Sequence, residues 1–138
     1  MESSHRAILV VEDDSNDILL LERAFRRANL TTRLHIVSNG EEAISYLKGE
    51  RPYSDREDYP LPELVLLDLN LPRKSGFEVL AWVRDHDEFK NLPIIVLTSS
   101  RRMLDVDQAY ALGASSYLAK PSGNYDRLAL ALRDLNHH

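Results

Sequence analysis

Asp68 closes the apolar run Leu64-Val65-Leu66-Leu67 and is followed at once by Leu69-Asn70-Leu71-Pro72. Glu12 and Asp13 follow Ile8-Leu9-Val10-Val11 in the same way. Thr98, with Ser99 next to it, follows Ile94-Ile95-Val96-Leu97, and Lys120 follows Tyr117-Leu118-Ala119. Three acids, a hydroxyl and an ammonium gathered in one place suit a divalent metal and a phosphoryl group. Mg2+ takes oxygen ligands in near-octahedral geometry and keeps several waters. Asp13 and Asp68 can each supply a carboxylate oxygen, Glu12 can act directly or through water, and Asn70 can offer its backbone carbonyl. Asp14 is read only as charge at the start of a helix. Without metal, clustered carboxylates repel and at least one should become harder to ionise; a bound cation inverts that logic and keeps Asp68 an anionic nucleophile. Lys120 would pair with one phosphoryl oxygen as a compact charge and Thr98 would donate its hydroxyl to another, while the small Ser99 leaves access. The chemistry implied is in-line phosphoryl transfer to the Asp68 carboxylate, carried by positioning and charge neutralisation.

Such a site requires that the apolar runs be strands ending at one edge. Runs without polar alternation are buried on both faces, the habit of a parallel sheet. Strands are expected at about 7–12, 33–37, 63–68, 93–98 and 115–119, and helices at about 16–29, 40–48, 75–86, 102–112 and 123–135. Alternating strands and helices with right-handed crossovers give an α/β fold, a doubly wound five-stranded parallel sheet of order 2-1-3-4-5. In such sheets ligands bind beyond the carboxyl ends of the strands, where these polar residues fall. Ser15 is the expected N-cap of the first helix, with Asp17 adding charge to its first turn. Asn29 and Gly113 stand where helices end in a left-handed residue. The third helix should bury Phe77, Leu80 and Ala81, flanked by Trp82 and Val83.

Residues 49–62, with three prolines and two tyrosines, are too long for a tight turn. They are either a solvated insertion or a partner-contacting loop, and the tyrosines favour the second. The 138 residues fit one domain over 1–138 with no output domain attached, so any output should come from its own surface. A 43% hydrophobic content is ordinary for a globular chain, and the absence of cysteine removes thiolate metal sites and suits a reducing cytoplasm. The net charge of −5 and the lack of a basic stripe give nucleic-acid binding no support, and no apolar stretch is long enough to span a membrane. His137 and His138 carry no functional weight.

These residues resemble the receiver domain of two-component response regulators, the flavodoxin-like (CheY-like) fold, over essentially the whole chain. The acidic pair Glu12-Asp13, Asp68 with Leu-Asn-Leu-Pro, Thr98-Ser99 and Lys120-Pro121 follow that family's order, at intervals of 30 residues from Asp68 to Thr98 and 22 from Thr98 to Lys120. The resemblance implies Asp68 as phosphoacceptor, Mg2+ held by Glu12, Asp13, Asp68 and the Asn70 carbonyl, and a histidine kinase as donor. It also assigns Thr98 and Tyr117 to a switch: Thr98 moves toward the phosphoryl group and the Tyr117 ring turns into the space vacated. Such a group adds roughly −1.5 to −2 charge and three acceptor oxygens. Ser122 stands where many members carry Phe after the Lys-Pro pair. The 55-residue interval from Asp13 to Asp68 exceeds the usual one by the 49–62 loop. In this the chain looks like the stand-alone regulators paired with bacterial and cyanobacterial phytochromes. That likeness implies a red-light-sensing kinase and a homodimer through the face of the fourth helix, fifth strand and fifth helix.

Two other classes use similar parts. A phosphatase of the haloacid-dehalogenase type needs a second Asp two residues after its nucleophile as general acid and base, and Asn70 occupies that position. Its metal acids also follow its lysine, whereas Glu12-Asp13 come first. A non-catalytic flavin- or nucleotide-binding module of this topology needs a Gly-rich loop after the first strand, where Glu12-Asp13-Asp14 would repel a phosphate. The expectation is therefore a signalling protein and not an enzyme.

Overall fold

The structure, a computed structural model, describes residues 7–99, 103–120 and 125–136. Pro121, Ser122, His137, His138 and the expected starts of the fourth and fifth helices at 102 and 123 lie outside the described residues. The elements run β1 (Ala7–Val11), α1 (Ser15–Arg27), β2 (Arg33–Val37), α2 (Gly40–Lys48), β3 (Leu64–Leu67), α3 (Gly76–Arg84), β4 (Ile94–Thr98), α4 (Met103–Ala111), β5 (Ser116–Ala119) and α5 (Asp126–Asn136). A short 3-10 turn at Asp87–Phe89, absent from the sequence expectations, joins α3 to β4. The five strands form one sheet of order β2-β1-β3-β4-β5. All pairs are parallel, with Val11 opposite Val37 and Leu67, Leu67 opposite Val96, and Thr98 opposite Ala119.

Alternate side chains of the central strands feed two cores. Leu9, Val11, Val65, Leu67, Ile94 and Val96 face α2, α3 and Ala109 of α4. Ile8, Val10, Leu64, Leu66 and Leu97 face α1 and α5, meeting Leu21, Phe25, Ala129 and Leu132. Each fully buried Leu, Val or Ile contributes about 1.5–3 kcal/mol relative to its exposed state, so the central strands are anchored on both faces. The third helix turns slightly from its expected face: Val79, Leu80 and Val83 are buried, whereas Ala81 is exposed. The spacing 79, 80, 83 keeps the apolar stripe on one side of a 3.6-residue repeat, and Ala81 falls outside it. Asn29 has φ 58° and Gly113 φ 103°, the positive values expected at those helix ends.

In the 49–62 segment the two tyrosines that favoured a partner-contacting reading pack inward, so that reading loses their support. Gly49, at φ 75°, closes α2 in the left-handed conformation. Arg56 then folds back, its Nη1 donating to the carbonyls of Tyr46 (2.9 Å) and Tyr59 (3.1 Å), its Nη2 to that of Leu47 (2.9 Å). The carbonyls of Tyr46 and Leu47 belong to the last turn of α2, which leaves them without the usual intrahelical partner. The Tyr46 hydroxyl donates to Pro60 O at 2.9 Å. The Tyr53 ring lies 5.1 Å from that of Tyr46 and 5.2 Å from that of Tyr59. His35 of β2 stands 5.8 Å from Tyr46 and 6.0 Å from Tyr59. The tyrosines point inward, and the segment is a strap fastened over α2 and the β2 edge. No helix among the described residues is long and apolar enough to cross a membrane.

Candidate functional site

Three of the site residues stand one position beyond a strand, and each is held there by the neighbouring strand. The N–H of Glu12 donates to Val37 O (3.0 Å), that of Asp68 to Val11 O (3.1 Å), and that of Lys120 to Thr98 O (2.8 Å). The sheet ladders thus extend past their last strand residues and deliver the side chains to one edge. The loop after β1 is fixed by its own acids. Glu12 Oε2 accepts from Asp14 N (3.1 Å), and Asp14 Oδ1 accepts from the N–H groups of Asn16 (2.8 Å) and Asp17 (3.3 Å). Asp14 is therefore the N-cap of α1 and Ser15 its first helical residue, one position earlier than the sequence suggested. A carboxylate both accepts the free N–H groups and complements the helix dipole, which favours Asp14 over the hydroxyl beside it.

After β3, Asn70 N donates to Asp68 Oδ1 at 3.0 Å and Gly76 N to Leu69 O at 3.0 Å. Ser75 and Glu78 form a capping box at the start of α3. A side chain at Gly76 would run into the carbonyl of Asp68 and the Cα of Leu69, so the bare backbone of α3 lets this loop close over the site.

Glu12, Asp13 and Asp68 each offer a carboxylate oxygen within 4.8 Å of one another; Glu12 and Asp68 are buried and Asp13 is exposed. Lys120 enters this cluster from β5. Its Nζ lies 2.8 Å from Glu12 Oε1, 3.0 Å from Asp68 Oδ2 and 3.0 Å from Asp17 Oδ2. Burial pushes the Glu12 carboxyl up to about 7, against the opposing hydrogen bond from Lys120 and with Asp68 adding repulsion. Burial alone would lower Lys120, but hydrogen bonds to Glu12, Asp17 and Asp68 outweigh it and hold the ammonium well above its ordinary value. Both directions follow from three carboxylates sharing one ammonium out of water. The sequence expectation that one acid of the cluster would resist ionisation is met at Glu12.

Thr98 is completely buried, and its Oγ1 receives Asn70 Nδ2 at 3.4 Å. Ser99 beside it is exposed. Tyr117 is half-buried, packed against the core on the α2–α3 side of the sheet, and its N–H donates to the Tyr110 hydroxyl of α4 at 3.1 Å. The structure thus brings Glu12, Asp13, Asp68 and Lys120 into one cluster, links Thr98 to it through Asn70, and places Tyr117 on neighbouring β5. Sequence reasoning missed two participants. Asp17 is a third partner of Lys120, and the Tyr125 hydroxyl donates to Asp17 Oδ1 at 2.8 Å. Their only sequence signals are an acid one helical turn beyond Asp13 and a tyrosine five residues beyond Lys120.

All donors of the cluster are hard anionic oxygens, and the ammonium among them marks a place where these acids already hold a cation. That donor set fits Mg2+. The fold is the doubly wound receiver class, with a carboxylate, an acidic pair, a hydroxyl and a lysine at the carboxyl edge of the sheet. The response regulator receiver domain profile matches residues 8–133, and the chain belongs to that family. It is 37% identical over 115 residues to the response regulator Rcp1 of Synechocystis, an alignment covering 83% of this chain and 76% of that protein. The Mn2+-bound form of Rcp1 superposes with a TM-score of 0.82 at 34% identity, covering 94% of this chain and 92% of that one. The response regulator RPA3017, in red light signaling of R. palustris, gives a TM-score of 0.84 at 37% identity, covering 96% and 92%. The phosphorylated cyanobacterial phytochrome response regulator RcpA gives 0.81 at 33% identity, again covering 96% and 92%.

Proposed function

We propose that Asp68 accepts a phosphoryl group from the phosphohistidine of a histidine kinase. One observation carries this: a buried aspartate at the tip of the central strand lies 3.0 Å from a lysine ammonium and within reach of two further acids. In the transfer, the phosphorus–nitrogen bond of the donor breaks as phosphorus bonds to an Asp68 oxygen. The departing imidazole nitrogen keeps the electron pair and takes up a proton. Lys120 turns from Glu12 and Asp68 to hold one phosphoryl oxygen, Thr98 donates its hydroxyl to a second, and Ser99 leaves room for the group. Glu12, Asp13, Asp68 and the Asn70 carbonyl are the residues that would hold Mg2+, which supplies neutralisation of charge on the phosphoryl oxygens. The resulting acyl phosphate stores a signal, and the protein is not an enzyme in the metabolic sense. Asn70 supports this over a phosphatase reading, because its amide, tied to Thr98, cannot exchange a proton as a second aspartate would.

The similarity to phytochrome-associated regulators supports a red-light-sensing kinase as donor, and such a donor places the protein in the cytoplasm. One receiver unit spans the chain, and its α4–β5–α5 face is the proposed homodimer surface. Met103, Leu104, Tyr110 and Leu118 are exposed there. Movement of Thr98 toward the phosphoryl group, followed by Tyr117, would reshape that face. The test is labelling by a phosphorylated kinase with Mg2+: the unaltered protein gains a hydroxylamine-sensitive label, and Asp68→Asn gains none while keeping its circular dichroism. Normal labelling of that variant, or failure of beryllofluoride with Mg2+ to engage position 68, overturns the assignment.

A further inference from the structure

An ammonium has three N–H donors, and all three of those on Lys120 have a carboxylate within 3.0 Å. Two of these partners, Glu12 and Asp68, belong to the acidic group that can hold a metal; the third, Asp17, does not. Any cation that settles among Glu12, Asp13 and Asp68 competes with Lys120 for two of its three partners. A phosphoryl group on Asp68 draws the ammonium away from the same two. Asp17 is the partner that Lys120 does not have to surrender. It projects from the first turn of α1, where Asp14 already fixes its N–H. Its second oxygen is held by the Tyr125 hydroxyl. Tyr125 is only 2% exposed, and its carbonyl accepts the N–H of Ala129, so the phenol is anchored where α5 begins. The carboxylate of Asp17 is therefore clamped from one side and offers its free oxygen to Lys120 on the other.

Resting on the assignment of Asp68 as phosphoacceptor, we propose that Asp17, oriented by Tyr125, is a positioning residue that keeps Lys120 at the site while Glu12 and Asp68 change partners. Lys120 then swings about one fixed carboxylate instead of being released to solvent. In Asp17→Asn the ammonium has only Glu12 and Asp68 left as charged partners, so it competes harder with a metal and aims less well at an incoming phosphoryl oxygen. In Tyr125→Phe every charge remains but the clamp is gone.

The experiment is a double-mutant cycle on Asp17 and Lys120. It reads the rate of hydroxylamine-sensitive labelling by acetyl phosphate and, separately, Mg2+ binding by calorimetry. Asp17→Asn is expected to slow labelling about tenfold and to weaken Mg2+ binding severalfold, the scale of one hydrogen bond to a charged group. Asp17→Glu, which keeps the charge, should recover part of the rate. With Lys120→Met in place, Asp17→Asn should add nothing to either readout, because the path through the ammonium is already cut. Tyr125→Phe should slow labelling by about threefold, again only when Lys120 is present. Equal effects of Asp17→Asn with and without Lys120, or an Asp17→Asn protein that labels at the normal rate, overturn the inference while leaving Asp68 as the acceptor. Absence of any label on the unaltered protein removes the acceptor assignment itself, and this inference with it.

Discussion

At the scale of single residues, three consecutive acids divide the work. Glu12 is buried against Lys120, Asp13 is exposed with an oxygen turned to the cluster, and Asp14 caps a helix. Asp13→Asn should therefore weaken Mg2+ binding at least tenfold with little change in melting temperature. Asp14→Ala should do the reverse, lowering stability by about 1 kcal/mol while labelling stays within twofold. Calorimetry and thermal melts on the two variants check this directly. Gly76 makes a second case, since an added methyl would press on the backbone of Asp68 and Leu69. Gly76→Ala should lower stability by roughly 1–3 kcal/mol and slow phosphorylation, because the obstructing atoms are main chain and cannot rotate aside. A variant as stable and as readily labelled as the parent would show that the loop has slack. Glu12, Asp13, Asp68, Thr98 and Lys120 were legible because each interrupts an apolar run at its end. Asp17 and Tyr125 were not, because they meet each other across 108 residues of chain and no spacing rule links two helix starts.

At the scale of elements, the strap over α2 shows what a long insertion needs in order to stay ordered. Its length and prolines were legible as a departure from the βα rhythm; the inward turn of its tyrosines was not, since an aromatic in a loop carries no periodicity to show which way it faces. Arg56 supplies the fastening. Arg56→Ala should reduce stability by roughly 2–4 kcal/mol, having freed three carbonyls of a charged donor. Hydrogen exchange should quicken at Tyr53 and Tyr59, whose N–H groups bond within the strap, and not in β3. The same layer holds a pH dependence. His35 has its Nε2 buried without a hydrogen-bond partner. Burial, helped by Arg33, lowers its pKa below the ordinary 6.5. Around it stand the Tyr46 and Tyr59 rings, with Arg56 behind Tyr46. No carboxylate is among these neighbours, so none offsets a proton on the ring. The folded protein therefore takes up this proton at a lower pH than the unfolded chain, and its stability falls as pH drops below 6.5. His35→Phe should flatten that part of the stability profile in urea titrations between pH 7 and 5. An unchanged slope would assign the acid sensitivity to another group.

At the scale of the whole molecule, strand order and the placing of the polar edge were legible from the alternation of apolar runs with amphipathic segments, because buried parallel strands carry so little polarity. The 3-10 turn and the true face of α3 were not, since both depend on how neighbouring helices settle. The surface offers Leu104 at 71% exposure and Met103 at 70% on α4, with Leu118 exposed on the outermost strand β5. Leu104→Asp combined with Leu118→Asp should shift sedimentation toward a smaller species without disturbing Asp68 labelling. If only changes in the 49–62 strap do so, the proposed homodimer surface is wrong. The bond from the Tyr117 N–H to Tyr110 has one more consequence for how this molecule meets others. An outermost strand invites extended peptides to zip alongside it through the main chain. Here a phenol from the adjoining helix already occupies the Tyr117 N–H on that fringe, so a visiting strand would have to displace it to pair there. The same tether means that a rearrangement of the outermost strand drags the helix beside it along.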